Sequence, residues 1–210
     1  EGNRLRSGGE ARTFADSLGK KVLPDFLSLS DDPRESHLSL NDDSSQSLNG
    51  HYRYDDEESP SDNASLIESG KLSGYLTGRV PVNKRHRSNG HARSNHHERA
   101  ISRMGVTRLH AHEKSDPLKL KQQLIDEIKR QGVPYGIRIL NASSGETSTD
   151  AYDFQAFLGE ITLAAKVFPD GREELIRGVN FVGTPLNAIN GIIAAGDDSV
   201  ADNAWCGAES

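Results

Sequence analysis

Hydrophobic positions are unevenly spread along this chain, and where they recur regularly they predict elements. The cleanest period lies at 117–131, where Leu120, Leu124, Ile125 and Ile128 fall on one helical face. Asp116 offers an N-cap and Pro117 suits the first helical position. Lys129 and Arg130 suit the negative end of the helix, and Gly132 stops it. The period then shortens to two: YGIRIL at 135–140, FLGEITLAAKVF at 157–168 and ELIRGVNFVG at 174–183 read as strands. Pro169, Asp170 and Gly171 reverse the chain between the last two. Thr184 and Pro185 open a final short helix, LNAINGIIAAG, expected to end near Gly196.

The first half carries weaker signals. VLPDFLSL at 22–29 allows one strand near 26–29, and the polar stretch 31–63 predicts no packed structure by itself. ASLIESGKLSGYLTG alternates on both sides of Ser69 and Gly70, which predicts a hairpin with strands at 63–68 and 71–78. From 79 to 112 no period is sustained before Val106, so this stretch reads as a long loop or lid with a turn at 88–90. The expected class is α+β, a mainly antiparallel twisted sheet with a few helices and a polar, irregular N-terminal third. We treat 1–210 as a single incomplete domain. An extended, hairpin and basic-loop region occupies 1–115, and an α+β region occupies 116–210.

Composition narrows the function classes. The apolar fraction of 34% and the aromatic fraction of 6% are low, and the deficit sits in the first half. No apolar run approaches the length of a membrane span, and no signal peptide is visible, so the expected location is cytoplasmic. The absent initial methionine and the abrupt end suggest an excerpt of a longer protein. The net charge of −6 conceals a basic stretch at 79–112: Arg79, Lys84, Arg85, Arg87, Arg93, Arg99, Arg103 and Arg108 face a single acid, Glu98. That stretch has no aromatic residue for base stacking and no recognisable nucleic-acid motif, so direct nucleic-acid binding is not favoured. Two histidine clusters, His96, His97 and Glu98, then His110, His112 and Glu113, match no zinc spacing and read as surface imidazoles. The chain has no nucleophile elbow, P-loop or dinucleotide fingerprint. Its one cysteine, Cys206, makes no internal disulfide and would ordinarily serve as a small hydrophobe.

Whole phrases carry more. DGREELIRGVNFVGTPLNAINGIIAAGDD at 170–198 with CGAES at 206–210, LNGHYRYDDE at 48–57, LIESGKLSGYLTGR at 66–79, SNGHAR at 88–93 and SRMG at 102–105 resemble the TldD/PmbA family in the same order. This family was long called modulators of DNA gyrase and is regarded as zinc metalloproteases. The opening 29 residues resemble the segment that follows the family's metal-binding helix, so the resemblance covers essentially the whole chain.

The resemblance implies a zinc peptidase acting on unfolded peptides in an enclosed chamber, as a homo- or heterodimer with a TldD/PmbA-like subunit. Its HExxxH motif, two histidine ligands around a water-activating glutamate, is not in this sequence and is expected upstream of residue 1, so no catalytic residue is expected in this piece. The third protein ligand, a cysteine in a C-G-x-x-S segment, corresponds to Cys206. Ser88, Asn89, His91 and Arg103 are the implied substrate-contacting or supporting residues, and the 63–78 hairpin edge could hold an extended peptide by strand addition. Gly183, Thr184 and Pro185 would shape the turn before the cysteine segment. Where the family commonly has Gly after the DDE at 55–57, this chain has Glu58. The piece alone is expected to lack peptidase activity. The alternatives are a non-catalytic PmbA-like partner subunit, or a regulatory protein acting on DNA gyrase or nucleic acid.

Overall fold

Strand pairing is antiparallel throughout the named strands. The computed structural model describes residues 14, 17–40, 44–81, 87–148 and 156–205. It divides into two compact units, one formed by Glu1–His112 with Asp198–Ser210 and one by Glu113–Asp197.

The first unit holds β1 (Leu27–Asp31), β2 (His37–Ser39), β3 (Ser45–Ser47), β4 (Ala64–Glu68), β5 (Lys71–Leu72), β6 (Ala92–Arg93), β7 (Ile101–Ser102) and β8 (Thr107–Ala111). Its main sheet runs β5-β4-β1-β8, with β2–β3 and β6–β7 as separate pairs. On β1 the period of two sends Leu27 and Asp31 inward, and both are buried, beside Val22, Leu23, Ala64, Ile67, Leu72 and Val106. Ser28 and Ser30 point to the other, polar face, where they meet His112, just past β8, and His110 of β8. The predicted hairpin forms around Ser69 and Gly70, both at positive φ, as a tight two-residue turn needs. Its second strand is shorter than expected: β5 stops at Leu72. Two further departures are the β2–β3 pair inside the polar stretch, and β6 and β7 inside the region read as an unstructured loop.

The second unit begins with α1 (Pro117–Gln131), as predicted. Asp116 accepts from the backbone N–H of Leu118 and Lys119, and Gly132 closes the helix at φ 67°. Ile125 and Ile128 bury against Val167, with Leu124 alongside. The sheet is β9 (Gly136–Ser148), β10 (Ala156–Val167), β11 (Glu173–Ile176) and β12 (Val179–Gly183), with β10 central. The stretch expected as one strand at 174–183 is split at Gly178, which sits at φ 68°, although both pieces pair with β10. Helix α2 (Pro185–Asn190) ends well before Gly196 because the N–H of Gly191 already turns back onto the last carbonyls. The chain beyond it pairs at Gly196 with Ser115. No described helix is long and apolar enough to cross a membrane.

Candidate functional site

Three of the four residues singled out from sequence, Ser88, Asn89 and His91, lie on one turn, and the fourth, Arg103, bonds to it. In the SNGH segment the Asn89 amide ties three groups together: Nδ2 donates to Tyr75 O at 2.9 Å, and Oδ1 accepts from Thr77 N at 2.8 Å and lies 2.9 Å from His91 Nδ1. Ser88 Oγ accepts from Gly90 N at 3.0 Å, and His91 N donates to Thr77 O at 3.1 Å. Arg103 N donates to His91 O at 2.9 Å, which brings the RMG segment beside the turn. Ser88, Asn89 and Arg103 are half-buried.

His91 is fully buried, and so is its partner Asp31, 60 positions earlier. Nε2 of His91 lies 3.2 Å from Asp31 Oδ1, while Nδ1 faces two acceptors, the carbonyl and side-chain oxygens of Asn89. Asp31 also accepts from Gly105 N and from Thr107 Oγ1. The buried carboxyl and the buried ring are thus held by hydrogen-bond partners on both sides, which ties the SNGH turn to β1. With no exposed surface, His91 pins the turn to β1.

Asp55 performs a parallel role nearby. Buried, it accepts from the backbone N–H groups of Glu57, Ser59 and Ala92 and so fixes the DDE loop against β6. In this loop Glu58 has φ 62°, the left-handed region that glycine occupies without strain. The turn is thus retained despite the departure from the family's glycine. We expect Glu58→Gly to raise stability by about 0.5–1 kcal/mol, read as a shift in urea midpoint; a lower midpoint would contradict that backbone conformation.

Cys206 lies outside the described residues, as do Lys84 and Arg85 of the basic stretch. The chain just before Cys206 is anchored. Asn203 Oδ1 accepts from Asn49 N at 3.0 Å and its Nδ2 donates to Ser47 O at 2.7 Å, so one side-chain amide imitates a strand partner. Gln46 Nε2 adds a bond to Ala201 O at 3.2 Å. Among the described residues no three His, Cys, Asp or Glu side chains converge on a metal position. His110 and His112 instead bond to the hydroxyls of Ser30 and Ser28, and the His96 and His97 rings lie 3.8 Å apart on an exposed loop. The described residues are a framework; the fit of a metal turns on Cys206 and on groups they do not include.

Two other expectations change. The outer side of the 63–78 hairpin is closed rather than open for a peptide: β4 is paired on both sides, and β5 meets residues 19–21 through Gly19 N to Leu72 O and Leu72 N to Lys20 O. Two arginines of the basic stretch are paired internally. Arg93 pairs with Asp56 and lies 4.4 Å over the Tyr52 ring, and Arg108 pairs with Glu35. Burial pushes the Tyr52 phenol above its usual range, with Arg93 opposing. In the second unit, an open apolar cavity of about 390 Å³ lies between α2 and the β9–β10 pair, lined by Phe157, Leu158, Pro185, Ala188 and Ile189 among others.

Sequence reasoning missed Asp31, Asp55, Thr77 and Asn203. Asp31 carried a signal: it continues the alternation Leu27, Leu29, Asp31 on the inward face of a strand. Asn203 carried none, because its partners lie more than 150 positions away.

Comparison with known proteins follows this geometry. A family model described as the PmbA/TldA metallopeptidase C-terminal domain matches residues 7–207. Among solved structures, TldE from Thermococcus kodakarensis superposes with a TM-score of 0.63 at 15% identity, over 93% of this chain and 39% of that one. A candidate modulator of DNA gyrase from Thermotoga maritima gives 0.66 at 15% identity, over 96% and 41%. Another from Bacteroides thetaiotaomicron gives 0.57 at 19%, over 94% and 37%. At these identities the likeness is one of fold, and the chain spans about two-fifths of each relative's length. No curated protein matches the chain.

Proposed function

The chain belongs to the PmbA/TldD family, and on that premise we propose that it is the C-terminal part of a zinc metallopeptidase that hydrolyses unfolded peptides, with Cys206 as a metal ligand. The observation that carries this reading is the family match, which runs from residue 7 through Cys206 in a domain described as metallopeptidase. The share of its relatives' length that the chain spans leaves ample room elsewhere for the histidines and glutamate of an HExxxH segment.

Zinc, when bound, supplies Lewis-acid polarisation of a scissile carbonyl. The thiolate of Cys206 offers a soft, anionic ligand suited to that ion. Asn203 fixes the register of the strap three positions before it. The Asp31–His91–Asn89 chain holds the SNGH turn, and we assign to its half-buried Ser88 and to the neighbouring Arg103 a contact with the peptide or a supporting role. From the family membership we infer a homo- or heterodimer with a TldD/PmbA-like subunit.

A second reading, a non-catalytic partner or a regulator of DNA gyrase, draws on the names of the structural relatives. The internal pairing of Arg93 and Arg108 weighs against a nucleic-acid surface on that stretch. The test uses the intact polypeptide with an unstructured peptide, alone and with a TldD/PmbA-like partner. Chelator-sensitive, zinc-restored cleavage is expected; absence of cleavage in both settings, with a salt-dependent DNA shift instead, would reverse the order of the two readings.

A further inference from the structure

Two arginines are fastened beside the SNGH turn by their backbones. Thr77 is buried, and its hydroxyl donates to Arg87 O at 3.2 Å while accepting from Asn89 N at 3.1 Å. Two positions after Thr77, Arg79 N donates to Oε2 of Glu57. Gly78 between them packs so closely that an added Cβ would lie 2.8 Å from Ala92 Cβ. The main chain at Arg79 and Arg87 is therefore fixed relative to the turn, while both side chains are exposed.

Their charge is not spent locally. Among the described residues no ion pair reaches either guanidinium, in contrast to Arg93 and Arg108. The acids of the DDE loop alongside are engaged elsewhere. Asp55 holds three backbone N–H groups, Asp56 holds Arg93 Nε and Ser94 N, and Glu57 holds the Arg79 backbone. From Arg79 to Arg87 the sequence RVPVNKRHR contains no acid, although the whole chain has a net charge of −6. A guanidinium presents a planar fork that fits a carboxylate or a phosphate through two parallel hydrogen bonds. The basic stretch has no aromatic residue on which a base could stack, which favours carboxylates over a nucleic acid. A peptide carries at most one terminal carboxylate, so two forks are served by acid side chains.

We propose that Arg79 and Arg87 select acidic peptides by binding Asp and Glu side chains of the segment that meets the SNGH turn. That the ligand is a peptide rests on the reading given above; the choice among peptides is what the two arginines add. Arg79 and Arg87 set specificity and take no part in bond cleavage.

The test reads recognition apart from cleavage: fluorescence anisotropy with the intact polypeptide after chelation of metal. The probes are unstructured, C-terminally amidated peptides of equal length, one rich in Asp and Glu, one with Asn and Gln in their place, and one with Lys. The acidic probe should bind at least about tenfold tighter than its amide counterpart, and the advantage should shrink as salt rises. Arg79→Glu combined with Arg87→Glu should remove that preference and favour the lysine probe, an outcome that loss of folding does not produce. Arg99→Glu, an equal change of charge at an exposed position between β6 and β7, should alter the preference by less than about twofold. Equal affinity for the acidic and amide probes, an unchanged preference in the double variant, or tighter binding of a single-stranded oligonucleotide than of the acidic probe overturns the proposal. Cleavage without the preference removes the arginine assignment and leaves the peptidase reading; the preference without any cleavage does the reverse.

Discussion

Replacing His91 by alanine should destabilise the first unit by about 2–5 kcal/mol, because it empties a fully buried position and leaves the buried Asp31 without one of its hydrogen-bond partners. Asp31 would remain fully buried with only Gly105 N and Thr107 Oγ1 as donors, and the oxygens of Asn89 would lose the N–H they face. The companion substitution Asp31→Asn should cost far less, about 1–2 kcal/mol. An amide can still accept from Gly105 and Thr107 through its oxygen and can donate to a neutral imidazole through its nitrogen. The measurement is a urea transition for each variant, followed by far-ultraviolet circular dichroism. Equal losses, or a His91→Ala loss below about 1 kcal/mol, would mean that the buried pair does not hold the turn.

Gly90→Ala is the second large effect. Gly90 has φ 70°, and a Cβ placed there would lie 2.3 Å from Pro60 O and 2.6 Å from Ser61 Cα. Both obstacles are backbone, so the clash is not relieved by rotating a side chain. The left-handed conformation costs an alanine about 1–2 kcal/mol, and the overlap adds about 1–3 more. Gly132→Ala provides the internal reference: its φ of 67° is nearly the same, and nothing lies within 4 Å of the added carbon. The gap between the two variants isolates the steric part. Gly90→Ala should also loosen the neighbouring His91, since His91 N and Asn89 share Thr77 as anchor. Equal midpoint shifts for the two variants would contradict the close approach of the turn to Pro60.

What was legible in the sequence divides by range of interaction. Helix α1 was readable end to end because its cap, its apolar face and its stop are all encoded within a few positions of one another. The hairpin at Ser69 and Gly70 and the reversal at Gly171 were readable for the same reason. The break at Gly178 was not, because apolar spacing continues across it and only the pairing with β10 reveals two strands. Helix α2 was read too long because GIIAAG looks equally apolar whether it coils or docks; residues 195 and 196 dock beside Ser115 instead. At the site, SNGH and RMG were found as phrases, but their purpose needed Asp31, which meets His91 only after the sheet has formed. A local pattern cannot announce a partner 60 positions away.

The central claim rests on the sulfur of Cys206, and the direct measurement is the zinc content of the intact polypeptide with and without it. At submicromolar free zinc the parent should retain about one equivalent, and Cys206→Ala should fall to a small fraction while its circular dichroism stays unchanged. Cleavage of an unstructured peptide should fall with the metal. Full zinc content together with undiminished cleavage in Cys206→Ala would contradict the assignment.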